Sequence, residues 1–302
     1  MTRKKDVLDR LAERLARGEI SESTYLSIKE RYERNGFPEE DEEPRAHAIC
    51  ISIPNVREMF PAIHKGDFEG DEYCCTGIGK VPGHLKARHT KVVGVCKIGE
   101  SLDTDFLESH GALKVGEGIS TDTLKNSGAL SVGGSVKAKT IESSGSLKVH
   151  GGVETNSFAN SGACRIASNL TSKGDVVQSG LLKVGKDVAA KNYQSTGSFR
   201  VGGTIRAEKI DVEITGDSRA SHLKAPEIDV KGSAAMGRLR CETIKGKKIR
   251  LEVTDADQVK GDDVEIGPRC RIGKVMARRL KAHETAKIKT KDIGPSEGAE
   301  GA

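Results

Sequence analysis

The sequence predicts a mainly β fold: a single-stranded, triangular β-helix of about 17 residues per coil, preceded by a short α-helical hairpin. Three observations carry this. Glycines recur at one fixed interval, with Gly77, Gly94, Gly111, Gly128, Gly145 and Gly162 each a full coil length after the last. Apolar residues hold fixed offsets from those glycines, always in pairs two apart. The composition lacks Trp, has 3% aromatics and contains 35 Gly, which suits stacked layers of small and β-branched side chains rather than a globular core.

Residues 1–36 come first. Val7, Leu8, Leu11 and Leu15 share one helical face. Gly18 ends that helix, and Ser21 caps a second one, with Glu22 in its favourable first turn. Tyr25, Ile28 and Tyr32 continue an apolar stripe, so Leu8, Leu11, Leu15, Tyr25, Ile28 and Tyr32 form the expected interaction face of the hairpin. Two helices of this length bury too little to stand alone, so the stripe needs a partner. Residues 37–45, within "NGFPEEDEEP", read as an acidic linker. Residues 46–76, including "AICISIPNV", read as a lead-in or capping segment.

The β-helix is expected over 77–290. After the strictly spaced glycines come Gly180, Gly197, Gly216 and Gly232, at gaps of 18, 17, 19 and 16. A period this short matches one coil of a β-solenoid and is too short for helix-pair repeats. Offsets +2 and +4 give Leu113 and Val115, Leu130 and Val132, Leu147 and Val149, Leu182 and Val184, Phe199 and Val201. Offsets +8 and +10 give Val136 and Ala138, Val153 and Thr155, Val188 and Ala190, Ile205 and Ala207. Offset +13 gives Leu107, Leu124, Ile141, Phe158, Tyr193 and Ile210. Pairs two apart lie on one face of a strand. They start 6, 5 and 6 residues apart, so each coil has three short strands and three corners. Corner glycines such as Gly99, Gly116 and Gly133 are expected to supply φ freedom. Offset +15 (Ser109, Asn126, Ser143, Asn160, Ser195) is read as a column of hydrogen-bonding rungs. About eleven coils follow from this count, with 233–290 either extending or capping the rod. Residues 291–302 read as a disordered tail.

"LDRLAERLARGEISESTYLSIKERY" resembles the small SHOCT-type helical module. "SGSLKVHGGVET" and "VEIGPRCRIGKV" are similar to coils of the bactofilin-type, polymer-forming cytoskeletal family. The resemblance covers about residues 70–290. It implies a right-handed β-helix that polymerises end to end without a nucleotide.

Enzyme readings are weaker. "EIGPRCRIGKV" faintly matches the hexapeptide repeats of β-helix acyltransferases, but those give 18-residue coils with an aliphatic residue every six. His84, His89 and His110 fall at three different offsets, whereas a tetrahedral metal needs convergent ligands. Asp103/Asp105 and Glu227/Asp229 read as solvated charge. "VGGSV" lacks the Lys-Ser/Thr of a phosphate loop. Cys96 and Cys164 share offset +2 and read as small buried hydrophobes, and the seven cysteines read as free thiols. No catalytic, cofactor or metal site is expected.

Net charge is +5 overall. Residues 1–45 hold ten Lys/Arg against twelve Asp/Glu, and 268–302 hold nine against four, so the C-terminal region is basic. No aromatics interleave with it, which disfavours nucleic acid. The N-terminus is charged throughout and no apolar run reaches about 18 residues, so a cytoplasmic location is expected, with the inner membrane face as a further placement. The leading expectation is a self-assembling structural protein. The alternative is a non-polymerising adaptor that binds a membrane-associated partner through the hairpin or the basic C-terminal region, and a β-helix acyltransferase ranks last.

Overall fold

The computed structural model describes residues 62–63, 66–232 and 237–294. The expected hairpin with its face, the acidic linker, most of the lead-in segment and the last eight residues lie outside the described residues. What is described is one parallel β-solenoid of about 13 turns. Its 28 strands belong to a single sheet system, each rung pairing with the next.

A middle coil shows how the sequence closes the turn. Strand Ala112–Val115 places Leu113 and Val115 inward and Lys114 outward. Strand Ile119–Asn126 then buries Ile119 and Thr121, leaves Asp122 and Thr123 outside, and buries Leu124 and Asn126. Two successive outward residues break the alternation and turn the chain, yet the strand runs through this corner. The other two corners have three outward residues and interrupt pairing. From Val153 to Leu251 the short corner also separates two strands, first Val153–Thr155 and Ser157–Asn160, and Thr254–Ile266 and Arg271–Ala282 then run through it again. The three faces follow the expected 6, 5, 6 spacing, although the first half of the rod uses two strands per coil rather than three.

Six inward columns result. Leu113, Leu130 and Leu147 stack directly, as do Val115, Val132 and Val149. Val136 sits over Val153, and Ile141 over Phe158. Leu182 and Val184 meet Phe199 and Val201. All these side chains are buried. Ala138 and Ala190 differ from expectation, since both are only partly buried. Tyr193 and Phe199 pack edge to face at 5.8 Å inside the lumen.

Hydroxyls inside the second face bind the short corner. Thr121 Oγ1 donates to the carbonyls of Asp105 and Thr123, at 3.2 and 3.0 Å. Thr155 does the same to Lys139 and Ser157. Carbonyls that the corner would leave unpaired in the interior are thereby satisfied.

The corner glycines have a different cause from the one expected. Among the described residues Gly66 is the sole glycine with positive φ. At Gly128 a Cβ would instead run into the carbonyl oxygen of Gly111 in the coil beneath, and at Gly116 into that of Gly99. Glycine is required there by the close approach of successive backbones.

The rod is longer than the sequence suggested at both ends. Phe68–Cys75, expected in the lead-in, is already a full rung paired with Leu85–Val92. At the other end the ladders continue unbroken through Arg271–Ala282 to Lys287–Ile293. Residues 233–290 therefore extend the rod where they are described, and 291–293 are strand rather than tail. The marker glycine after Gly216 is Gly237, stacked on the Gly216 backbone, whereas Gly232 faces Val253. Extra residues between those coils displaced the marker.

Candidate functional site

With the interior filled, the outer faces and the ends remain. Two faces carry alternating charge. On the third face Lys91 stands opposite Glu108 and Lys125 opposite Glu142, with ion pairs of 3.5 and 3.8 Å. On the second, Lys86 pairs with Glu69 at 2.7 Å and Lys137 with Glu154 at 3.6 Å. Opposite charges directly across a rung are mildly stabilising.

The first face is built differently. Its central outward residue, between the two inward ones, is Lys80, Lys97, Lys114, Ser131, Lys148, Arg165, Lys183, Arg200, Arg219 and Arg240 in successive coils. Ser131 is the single interruption. Asp255, Arg271 and Lys287 continue the column. At the ordinary interstrand spacing, Lys80 to Arg240 forms a basic row of roughly 43 Å along one face. Among the described residues, none of its cations forms an ion pair. Beside it runs an uncharged column, Ile78, Val95, Ala112, Ala129, Ser146, Ala163, Leu181 and Ser198. Toward the C-terminus the face widens into a shallow groove lined by Arg219, Arg240, Glu242, Asp257, Arg271 and Lys289. The sequence carried the signal, a Lys or Arg at offset +3 of most repeats, but sequence reasoning passed over it.

The C-terminal edge is the second feature. Lys287–Ile293 pairs with Arg271–Ala282. Ile293 is 56% exposed there. Lys291 occupies the column of Val275, so the last rung carries a charge where earlier ones carry an aliphatic. At the opposite end, Asp67, Glu69, Asp71 and Glu72 make the first described coil acidic.

The residues weighed for chemistry are scattered. His84 contacts Glu100 at 2.6 Å and Ser101 at 2.6 Å. His110 contacts Ser127 at 2.8 Å. His89 lies against the Phe106 ring, with centroids 6.0 Å apart. Asp229 is paired with Lys231 at 3.4 Å. Asp103 and Asp105 both face solvent. No three His, Cys, Asp or Glu side chains among the described residues are placed to share a metal ion. Cys96 and Cys164 are buried in the leucine column. Burial pushes the Cys164 and Cys241 thiols up to about 12 and Cys270 up to about 11, so all three stay protonated near neutrality. Among the described residues no helix is long and apolar enough to cross a membrane.

No family model matches the chain, and neither a curated protein nor a solved structure does.

Proposed function

We propose that this chain is a non-catalytic structural rod that assembles end to end with copies of itself, without nucleotide. The observation that carries the reading is the continuity of the parallel ladder up to the edge strand Lys287–Ile293. Such an edge presents one row of backbone N–H and C=O groups beyond its own pairing and templates a further strand. Ile293, exposed at that edge, adds apolar area to the contact. The resemblance to bactofilin-type coils points the same way. In this reading residues 1–36, where the sequence predicts a hairpin, are the tether for partners.

Charge gives the assembly a direction. The basic last coils repel one another head to head, while the acidic first coil complements them. Head-to-tail stacking also preserves parallel pairing, which a head-to-head contact does not.

Negative-stain microscopy and sedimentation velocity of the full chain test this. Filaments with a repeat of about 60 Å are expected from about 13 coils. Dispersed monomers at every concentration and salt overturn the reading. Ile293→Asp is expected to shorten the filaments while leaving the melting temperature unchanged.

The adaptor reading is favoured by one observation, the unpaired basic row. It predicts rods that stay monomeric yet bind an acidic surface.

A further inference from the structure

We infer that the first face of the rod is a docking surface for a bilayer containing anionic lipids, lying along the rod's length. The inference concerns a side surface, so it stands whether or not the ends polymerise.

Like charges stacked on successive rungs repel, and the other two faces of this rod avoid that arrangement over most of their length by alternation. The first face sustains it from Lys80 to Arg240 with one interruption. Mobile counterions screen that repulsion, and an extended anionic surface along the row neutralises it most fully. Two acidic groups beside the row are already engaged, Glu100 at the corner by His84 and Asp255 by Arg238. A shorter basic run on the second face, Arg206–Lys224–Lys245–Lys260, spans four rungs against nine basic positions in the row on the first, and among the described residues no exposed aliphatic column stands beside it.

Three features select a bilayer over other polyanions. The row continues through nine rung steps, roughly 43 Å, on one face, whereas a duplex strand presents its phosphates to one side only about once per 34 Å turn. No aromatic side chain stands in the basic row or in the column beside it, so unpaired bases find no stacking platform. The adjoining column is uncharged and exposes Ile78, Val95 and Leu181 to solvent at 46%, 55% and 40%. Basic side chains flanked by exposed aliphatics suit the headgroup boundary, where charge meets anionic lipid and apolar groups enter the interface. The other residues of that column are mostly Ala and Ser, which keep the face flat enough for many rungs to touch one plane.

The test is density-gradient flotation of the full-length protein with extruded vesicles, in which filaments without lipid stay at the bottom. One set is phosphatidylcholine alone, and the other contains roughly one third phosphatidylserine. Binding to the second set and not the first is expected, with release between about 0.1 M and 1 M salt. The triple variant Lys97→Glu, Lys114→Glu, Lys148→Glu is expected to lower partitioning about tenfold or more. Lys224→Glu, Lys245→Glu, Lys260→Glu, with the same change in charge on another face, is expected to retain it. Matched melting curves verify folding, and a Lys→Gln triple at the first three positions serves if the Glu triple misfolds. Binding to neutral vesicles alike, absence of flotation, equal loss in both triples, or retention on DNA without vesicle binding each overturn the inference. Because a single rod carries the row, the assay is run with Ile293→Asp as well. Lost filaments with retained vesicle binding then refute only end-to-end assembly, and the reverse refutes only the docking face.

Discussion

The Asn126 side chain donates from Nδ2 to the Ser143 hydroxyl, 3.2 Å away and one coil further along the rod. The same amide nitrogen reaches the Ser146 carbonyl at 3.2 Å, so one buried group ties two coils together from inside. Gln178 repeats the arrangement with Ser195 at 2.7 Å. The column is apolar toward both ends, at Val92 and Val212, and polar only in the middle. Asn126 Oδ1 has no hydrogen-bond partner.

Asn126→Ala should therefore lower unfolding free energy by about 2–3 kcal/mol, through a small cavity and a lost partner for Ser143. Asn126→Val with Ser143→Val, residues of the kind this column uses elsewhere, should cost less than the single change. Replacing both partners removes the unmatched polar group. Chemical denaturation of the three proteins measures the difference.

Gly128→Ala should cost about 3 kcal/mol, because the added methyl meets a backbone carbonyl that cannot move without parting two coils. Gly77→Ala, at the same place in the repeat but with open space around it, should be close to neutral. Melting temperatures of the two variants suffice, and equal effects would return the glycines to a conformational role.

Cys164 titrates at about 12 in the fold, raised by burial from its ordinary 9.0. The folded chain then holds a proton that the unfolded chain releases above pH 9. The resulting stability is fully present below pH 9 and declines as pH rises toward 12, at about 1.4 kcal/mol per unit. Cys164→Val carries no such proton. The stability gap between wild type and this variant should shift against the wild type between pH 8 and pH 10.5, measured by urea unfolding at both values.

Arg269 follows Pro268 and has φ of 60°, the pattern of a type II turn, whose third residue favours glycine. Arg269→Gly should raise unfolding free energy by about 1 kcal/mol by removing the left-handed cost for a residue with a Cβ. Thermal unfolding provides the check.

The legible part of the fold was what repeats at constant interval. Leu113 and Val115 alternate with Lys114, and the next coil says the same, so face and column followed from counting. The rule fails where coil length changes: Gly232 fits the interval in sequence, but Gly237 holds that place after extra residues. It fails again at Gly116, whose need for glycine arises from Gly99, a full coil earlier in the chain, and leaves no local trace. The basic row was hidden for a related reason. Lys97 and Lys114 are unremarkable at their distance along the chain, and become a surface only when the coil brings them to adjacent rungs.

Because every coil returns its three inward pairs to the same six columns, the rod behaves as a ruler with equal graduations. Removing residues 112–128 as one block would bring the following coil into the vacated register and shorten the object by a single graduation of about 4.8 Å. Length is thus quantised, and so is charge, since that block subtracts one lysine from the first face and leaves the remaining cations evenly pitched. A set of such deletions would yield a calibrated series of rods in which reach and the number of surface contacts change together in whole steps.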